Sequence, residues 1–193
     1  MSDHARPCSQ SSQGGGDTPA RQLAEKASPW VRRWLAELPE RSEVLDVACG
    51  SGRHLALLAT QGHEGTGIDR DVAAAKQSDL PGVTLIEADL EQGPWPLPGR
   101  QFAAVVVANY LWRPLFPTLL AAVAPGGLLV YETFMVGNEQ YGRPRNPDFL
   151  LQPDELRLVV ASEFEELEFA QGPEGDPVTA VRQRICARRP KAR

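Results

Sequence analysis

Between residues 44 and 134, short apolar runs alternate with segments whose apolar residues fall three or four positions apart. Residues 44–48, 65–69, 83–88, 102–108 and 128–133 read as strands, and 53–61, 72–78 and 116–123 as helices. Runs such as "FAAVVVAN" and "GLLVYETF" are continuously apolar rather than alternating, as interior strands covered on both faces require. Strand, helix and strand in this rhythm predict an α/β fold with a doubly wound, mostly parallel sheet. Upstream, "TPARQLAEKASPWVRRWLAELP" divides into two helical pieces, with Ser28 as N-cap and Pro29 in the first helical position. Trp30, Trp34, Leu35 and Leu38 make an apolar stripe that suits core packing; the sharper alternative is a lid over a ligand. Past Phe134 a Gly, Asn and Pro-rich connection, residues 137–147, leads to a helix capped near Pro153 and Asp154. "FEELEFA" and "VTAVRQRICARR", joined by the turn-rich "QGPEGDP", then predict a C-terminal antiparallel hairpin.

Length and composition narrow this to one domain. A chain of 193 residues, 42% hydrophobic, suits a single α/β unit over 18–193, preceded by a Ser, Gln and Gly-rich tail, 1–17, expected to be disordered. A net charge of −5 argues against a protein that lives on a polyanion. Three scattered cysteines, Cys8, Cys49 and Cys186, give neither a disulfide framework nor a metal-ligand spacing, so no metal is expected and a reducing cytoplasm is the expected compartment. No apolar segment reaches the roughly 18 residues of a membrane span, and the N-terminus lacks the apolar core of a secretory signal.

The chemistry concentrates in "VLDVACGSGRHLALLATQGHEGTGIDRD", residues 44–71. An open parallel sheet binds its ligand outside the carboxyl ends of its strands, where Asp46, the loop 48–52 and Asp69 fall. Small residues let the backbone approach a ligand, and a helix starting near Arg53 aims free N–H groups into the loop. Leu55 stands where a dinucleotide fingerprint needs its third glycine, and the Gly-Lys-Ser/Thr of an ATP phosphate loop is absent. A carboxylate at Asp46 repels pyrophosphate but accepts from a cationic amino-acid moiety. The ligand is therefore adenosine-like at Asp69 and cationic near Asp46, the charge pattern of S-adenosylmethionine.

With those residues in view, "VLDVACGSGR", "GIDRD", "IEADLE" and "APGGLLVYETF" resemble successive motifs of the class I S-adenosylmethionine-dependent methyltransferases over residues 41–134. The resemblance implies a Rossmann-like, seven-stranded sheet and the cofactor S-adenosylmethionine, with S-adenosylhomocysteine as product. It implies that Asp46, Ala48, Gly50 and Gly52 line the methionine end, Asp69 takes the ribose hydroxyls, Arg70 flanks the adenine, Asp89 accepts from its amine and Leu90 lies beside the ring. Asn109 is expected to face the sulfonium. Ala48 replaces the usual first loop glycine. Simpler roles compete: a turn residue for Asp89, a loop residue for Asn109, a small buried residue for Cys49 and a surface or capping residue for His54.

The acceptor is less legible. "NYLW", residues 109–112, lacks the Asp/Asn-Pro-Pro-Tyr/Phe pattern of DNA adenine and glutamine amide methyltransferases. The connection "MVGNEQYGRPRNPDFLL" is long enough to cover a cavity, and Glu132, Thr133, Asn138, Glu139, Tyr141, Arg143 and Arg145 flank or occupy it. A small-molecule acceptor is expected, with Asn109, Glu132 and Glu139 as catalytic candidates. Compact size and the glycine loop followed by Arg53 are similar to tellurite-resistance and thiopurine-type methyltransferases, although His54 stands where the tellurite group tends to carry Asn. Two other readings stand beside it: an RNA methyltransferase using the basic run Arg182, Arg184, Arg188, Arg189, Lys191 and Arg193, and an inactive cofactor-binding partner module. Trp34 and Leu38 could pack within the chain or across a dimer, so monomer and homodimer both remain open.

Overall fold

The computed structural model describes residues 18–191; the expected tail, 1–17, lies outside them. Strands β1 (Glu43–Val47), β2 (Glu64–Asp69), β3 (Val83–Glu87), β4 (Phe102–Ala108), β5 (Val123–Phe134), β6 (Glu165–Glu174) and β7 (Ala180–Arg188) form one seven-stranded sheet in the order β3-β2-β1-β4-β5-β7-β6. The first five run parallel, and β7 is antiparallel to both β5 and β6. This is the doubly wound sheet with a C-terminal hairpin that the apolar pattern predicts. Strand order reverses between β1 and β4, which opens a crevice at the carboxyl ends of the strands.

Alternate residues of the interior strands feed two cores. Val44, Ala104, Val106, Leu128 and Val130 point to the face covered by α1 (Pro19–Glu25), α2 (Pro29–Leu35) and α3 (Arg53–Thr60). Leu45, Val105, Val107, Leu129 and Tyr131 point to the other, covered by α5 (Phe116–Ala122) and α6 (Glu155–Val160). Burial on both faces explains why these strands are apolar at every position. Trp34 and Leu35 are core residues, whereas Trp30 is only partly buried and meets Trp34 edge to face at 6.1 Å.

Several boundaries move for physical reasons. The expected helix 72–78 contracts to α4 (Ala73–Lys76). Val123 is extended and pairs with Phe102, so β5 begins five residues before the expected 128. Asp154 holds the N-cap position of α6 but caps nothing with its side chain: its φ is 59°, and its carboxylate accepts from Arg157 and Gln171 instead. Gly67 is required by close approach, because a Cβ there would sit 2.5 Å from Leu55 Cδ1 and 2.9 Å from Cys49 Sγ. The absence of that carbon lets α3 and the loop before it settle onto β2.

Candidate active site

The β1–α3 loop carries Ala48, Gly50 and Gly52 at φ of 54°, 54° and 79°. This left-handed conformation costs an L-residue roughly 1–2 kcal/mol, which is the physical reason glycine is usual where Ala48 stands. The Gly50 N–H donates to Asp69 Oδ2 at 2.8 Å and the Asp71 N–H to Oδ1 at 3.1 Å. Asp69 thereby ties the end of β2 to the loop, and each oxygen keeps a lone pair for a ligand. Ala48, Asp69, Arg70, Asp89, Leu90 and Tyr110 border a cavity of about 420 Å³. Asp89 serves its turn as well: Oδ1 accepts from the N–H groups of Glu91 and Gln92 at 2.9 and 3.1 Å. The Tyr110 hydroxyl is buried without a hydrogen-bond partner among the described residues, and burial together with Glu91, Asp89 and Asp69 pushes its pKa up.

A second cavity, of about 220 Å³, lies against the loop and is lined by Ala48, Gly50, Arg53, His54 and Asn109. Beneath it Asp46 is 1% exposed, with Oδ1 3.6 Å from His54 Nδ1 and Oδ2 lacking any partner among the described residues. His54 is 2% exposed, which corrects the expected surface or capping role. Its Nε2 accepts from the Ser28 N–H and from Arg53 Nε, both at 3.4 Å, leaving the proton on Nδ1, toward Asp46. The junction between α1 and α2, folded over α3, buries this imidazole. Burial and the adjacent Asp46 and Asp69 push the Cys49 thiol up, so Cys49 stays a neutral, small buried residue.

The third cavity, about 450 Å³, lies between the α1–α2 junction and the ends of β5 and β7. Lys26, Trp30, Arg53, Glu132, Arg182 and Arg184 are among its walls. Asn109, at φ 60°, borders all three cavities, and its Oδ1 accepts from Arg182 Nη1 at 2.5 Å. Glu132, 5% exposed, is paired with Arg184 at 3.2 Å; Glu174 meets Arg182 at 2.9 Å and Arg184 at 2.6 Å.

Of the catalytic candidates, Asn109 and Glu132 come together. Glu139 does not: it lines none of these cavities, and Oε2 closes a local turn by accepting from the Gly137 N–H at 2.8 Å. Asn138 is a buried strut whose Oδ1 accepts from the Val181 N–H, and Tyr141, Arg143 and Arg145 are exposed. Sequence reasoning missed Lys26, Arg53 and Glu174 as site residues, and offered Arg182 and Arg184 only as part of a basic run for RNA. The signal for the arginines was their alternation along a strand opposite "YETF". The basic run also splits: Arg182 and Arg184 reach the cavity, while Arg189 donates to the Ala121 and Val123 carbonyls at the opposite end of the strands.

The profile of a methyltransferase domain matches residues 20–167. The chain belongs to this methyltransferase family. A trans-aconitate 2-methyltransferase of Paracidovorax citrulli is 34% identical over 124 residues, 58% of this chain and 47% of that protein. The chain spans about half the length of the curated relatives it matches. Among solved structures, TehB of Haemophilus influenzae superposes with TM-score 0.66 at 17% identity, covering 85% of this chain and 63% of that one. The N-methyltransferase NodS of Bradyrhizobium japonicum WM9, in complex with S-adenosylhomocysteine, gives 0.63 at 18%, covering 91% and 90%. Both superpositions show the class I fold for this chain.

The cofactor that goes with this family is S-adenosylmethionine, and the residues present suit it. The unpartnered Asp46 Oδ2 and Tyr110 hydroxyl are buried polar atoms that gain from a ligand or a water it orders. Asp69 and Asp89, each with lone pairs left over, line the cavity of about 420 Å³. Among the described residues no group of three or more His, Cys, Asp or Glu is placed to hold a metal ion, and no helix is long and apolar enough to cross a membrane.

Proposed function

We propose that the methyltransferase uses S-adenosylmethionine to methylate a small-molecule acceptor. The observation that carries this is Asn109, a single residue shared by the adenosine-side, loop-side and acceptor-side cavities. Asp69 would hold the ribose hydroxyls, Asp89 and Leu90 the adenine beside Arg70, and the loop Ala48, Gly50 and Gly52 over Asp46 the methionine end. When bound, the cofactor supplies an electrophilic methyl group on a sulfonium. The chain's own work is alignment, which supplies much of the rate of an in-line transfer. Asn109, its side chain held by Arg182, and Glu132, held by Arg184, orient the acceptor, while Trp30 and Pro29 wall it off from water.

Three observations favour a small acceptor over RNA. The acceptor-side cavity, about 450 Å³, falls within the ~300–1,000 Å³ range of small-ligand sites. Among the described residues the basic C-terminal run is divided between opposite ends of β7, with no continuous stripe for phosphates, and Arg193 lies outside them. The curated relative named above acts, by its name, on trans-aconitate. A cytoplasmic setting suits Cys49 and Cys186, both buried free thiols.

The test follows methyl-labelled S-adenosylmethionine into a cell extract, then separates small metabolites, RNA and protein. Label in the small-metabolite fraction, lost with Asp69→Ala, is the expected result. Label in RNA overturns the acceptor class. S-adenosylhomocysteine binding with no transfer to any fraction overturns the enzyme reading in favour of a binding module.

A further inference from the structure

The charge of the acceptor-side cavity is unbalanced. Four cationic side chains, Lys26, Arg53, Arg182 and Arg184, border it against two carboxylates, Glu132 and Glu174. Both carboxylates are already engaged, Glu132 by Arg184 and Glu174 by Arg182 and Arg184. Among the described residues, neither Lys26 nor Arg53 has a carboxylate within ion-pair distance. Arg53 spends only Nε on His54, so both terminal nitrogens of its guanidinium fork remain unpaired among the described residues.

Arg182 carries the same imbalance inward. Its side chain is only 17% exposed. Burial pushes its pKa down, and Arg184 and Arg53 press it the same way against the opposing pull of Glu132 and Glu174. A concave site lined by cations of this kind concentrates anions and rewards a ligand that brings the missing negative charge. Between and beside the cations the lining is apolar, with Ala27, Pro29, Trp30 and Ala170, and suits the body of a small organic molecule rather than a bare inorganic ion.

Resting on the small-molecule reading, we propose that the methyl acceptor carries a carboxylate or similar oxyanion, held in this cavity by Lys26 and Arg53 beside Arg182, with its accepting atom toward Asn109. The same chemistry has a second source, the carboxylate of the cofactor's own methionine moiety, because Arg53 also lines the loop-side cavity. Lys26 and Arg182 do not line that cavity, and they distinguish the two sources.

The experiment splits a small-molecule extract on a quaternary-ammonium resin at pH 7 into retained and unretained pools and offers each to the whole protein with methyl-labelled S-adenosylmethionine. Incorporation is expected at least tenfold higher with the retained, anionic pool. With that pool at limiting concentration, Lys26→Gln and Arg53→Gln each lower incorporation at least threefold and together at least tenfold. S-adenosylhomocysteine affinity stays within twofold, and Arg53→Lys restores part of the loss. Incorporation not enriched in the retained pool overturns the proposal while leaving the small-molecule reading intact. A tenfold loss of S-adenosylhomocysteine affinity that accounts for the whole fall assigns the cations to the cofactor's carboxylate and also overturns it. Label in neither pool removes the small-molecule reading and this proposal together.

Discussion

The two sides of the crevice are built differently. On the cofactor side, the loop between β1 and α3 and the turns after β2 and β3 are fixed by backbone N–H groups donating to carboxylates: Gly50 and Asp71 N–H groups on Asp69, Glu91 and Gln92 N–H groups on Asp89. The acids there are left with vacant lone pairs. On the acceptor side, side chains from β5, β6 and β7 meet one another, and Glu132, Glu174, Arg182 and Arg184 use up much of each other's charge. Acids held by their own backbone suit one invariant ligand, whereas a site made of side chains paired across strands can be re-specified without disturbing the frame. On the proposed function, the contrast would let the crevice combine a constant methyl donor with a particular acceptor.

The sharpest way to break that contrast is Asp69→Ala. It removes the proposed ribose acceptor and frees the Gly50 N–H, so S-adenosylhomocysteine affinity should fall by about 1–3 kcal/mol, from lost charge-assisted hydrogen bonds. Isothermal titration reads this directly. Unchanged affinity would remove Asp69 from the cofactor and leave it as a tie within the loop.

The same contrast explains how much was legible in the sequence. Asp46, Ala48, Gly50, Gly52 and Asp69 lie in two neighbouring strands and the loop after the first, so spacing alone placed them at strand ends. Glu132 and Arg184 are 52 positions apart and meet because β5 and β7 pair antiparallel in the register Glu132↔Arg184, with Phe134↔Arg182 alongside. No local pattern encodes that register. Glu139 misled for the converse reason: it is near Glu132 in the chain, yet the bridge Met135↔Leu151 and the turn closed on Gly137 give it a different place. His54 read as a helix-start surface residue because what buries it, the α1–α2 junction, comes from about 26 residues upstream.

Ser28→Ala sharpens the comparison from the junction between the two sides. Ser28 Oγ accepts from the Trp30 and Val31 N–H groups at the start of α2, and its main-chain N–H donates to His54 above Asp46. Losing the cap costs about 1 kcal/mol. For a chain of this size that lowers Tm by roughly 2–4 °C. Alanine keeps the main-chain donor, so S-adenosylhomocysteine affinity should not move. A change in affinity larger than twofold would mean that the hydroxyl, and not only the backbone, couples the acceptor-side helix to the cofactor loop.

The smallest effect lies outside both sides. His63 precedes β2 at the amino-terminal edge of the sheet, buried, with Nδ1 accepting from the Ser42 N–H at 3.2 Å. Burial lowers its pKa below the ordinary 6.5. In acid the unfolded chain therefore binds the proton before the folded one does. The stabilising contribution is complete above the unfolded pKa near 6.5 and is lost as pH falls through the lower folded value. His63→Asn keeps an acceptor for Ser42 but cannot titrate, so wild type should lose Tm relative to the variant on going from about pH 7 to about pH 5, by a few degrees at most. A gap that does not change with pH would show that His63 keeps the same charge in both states.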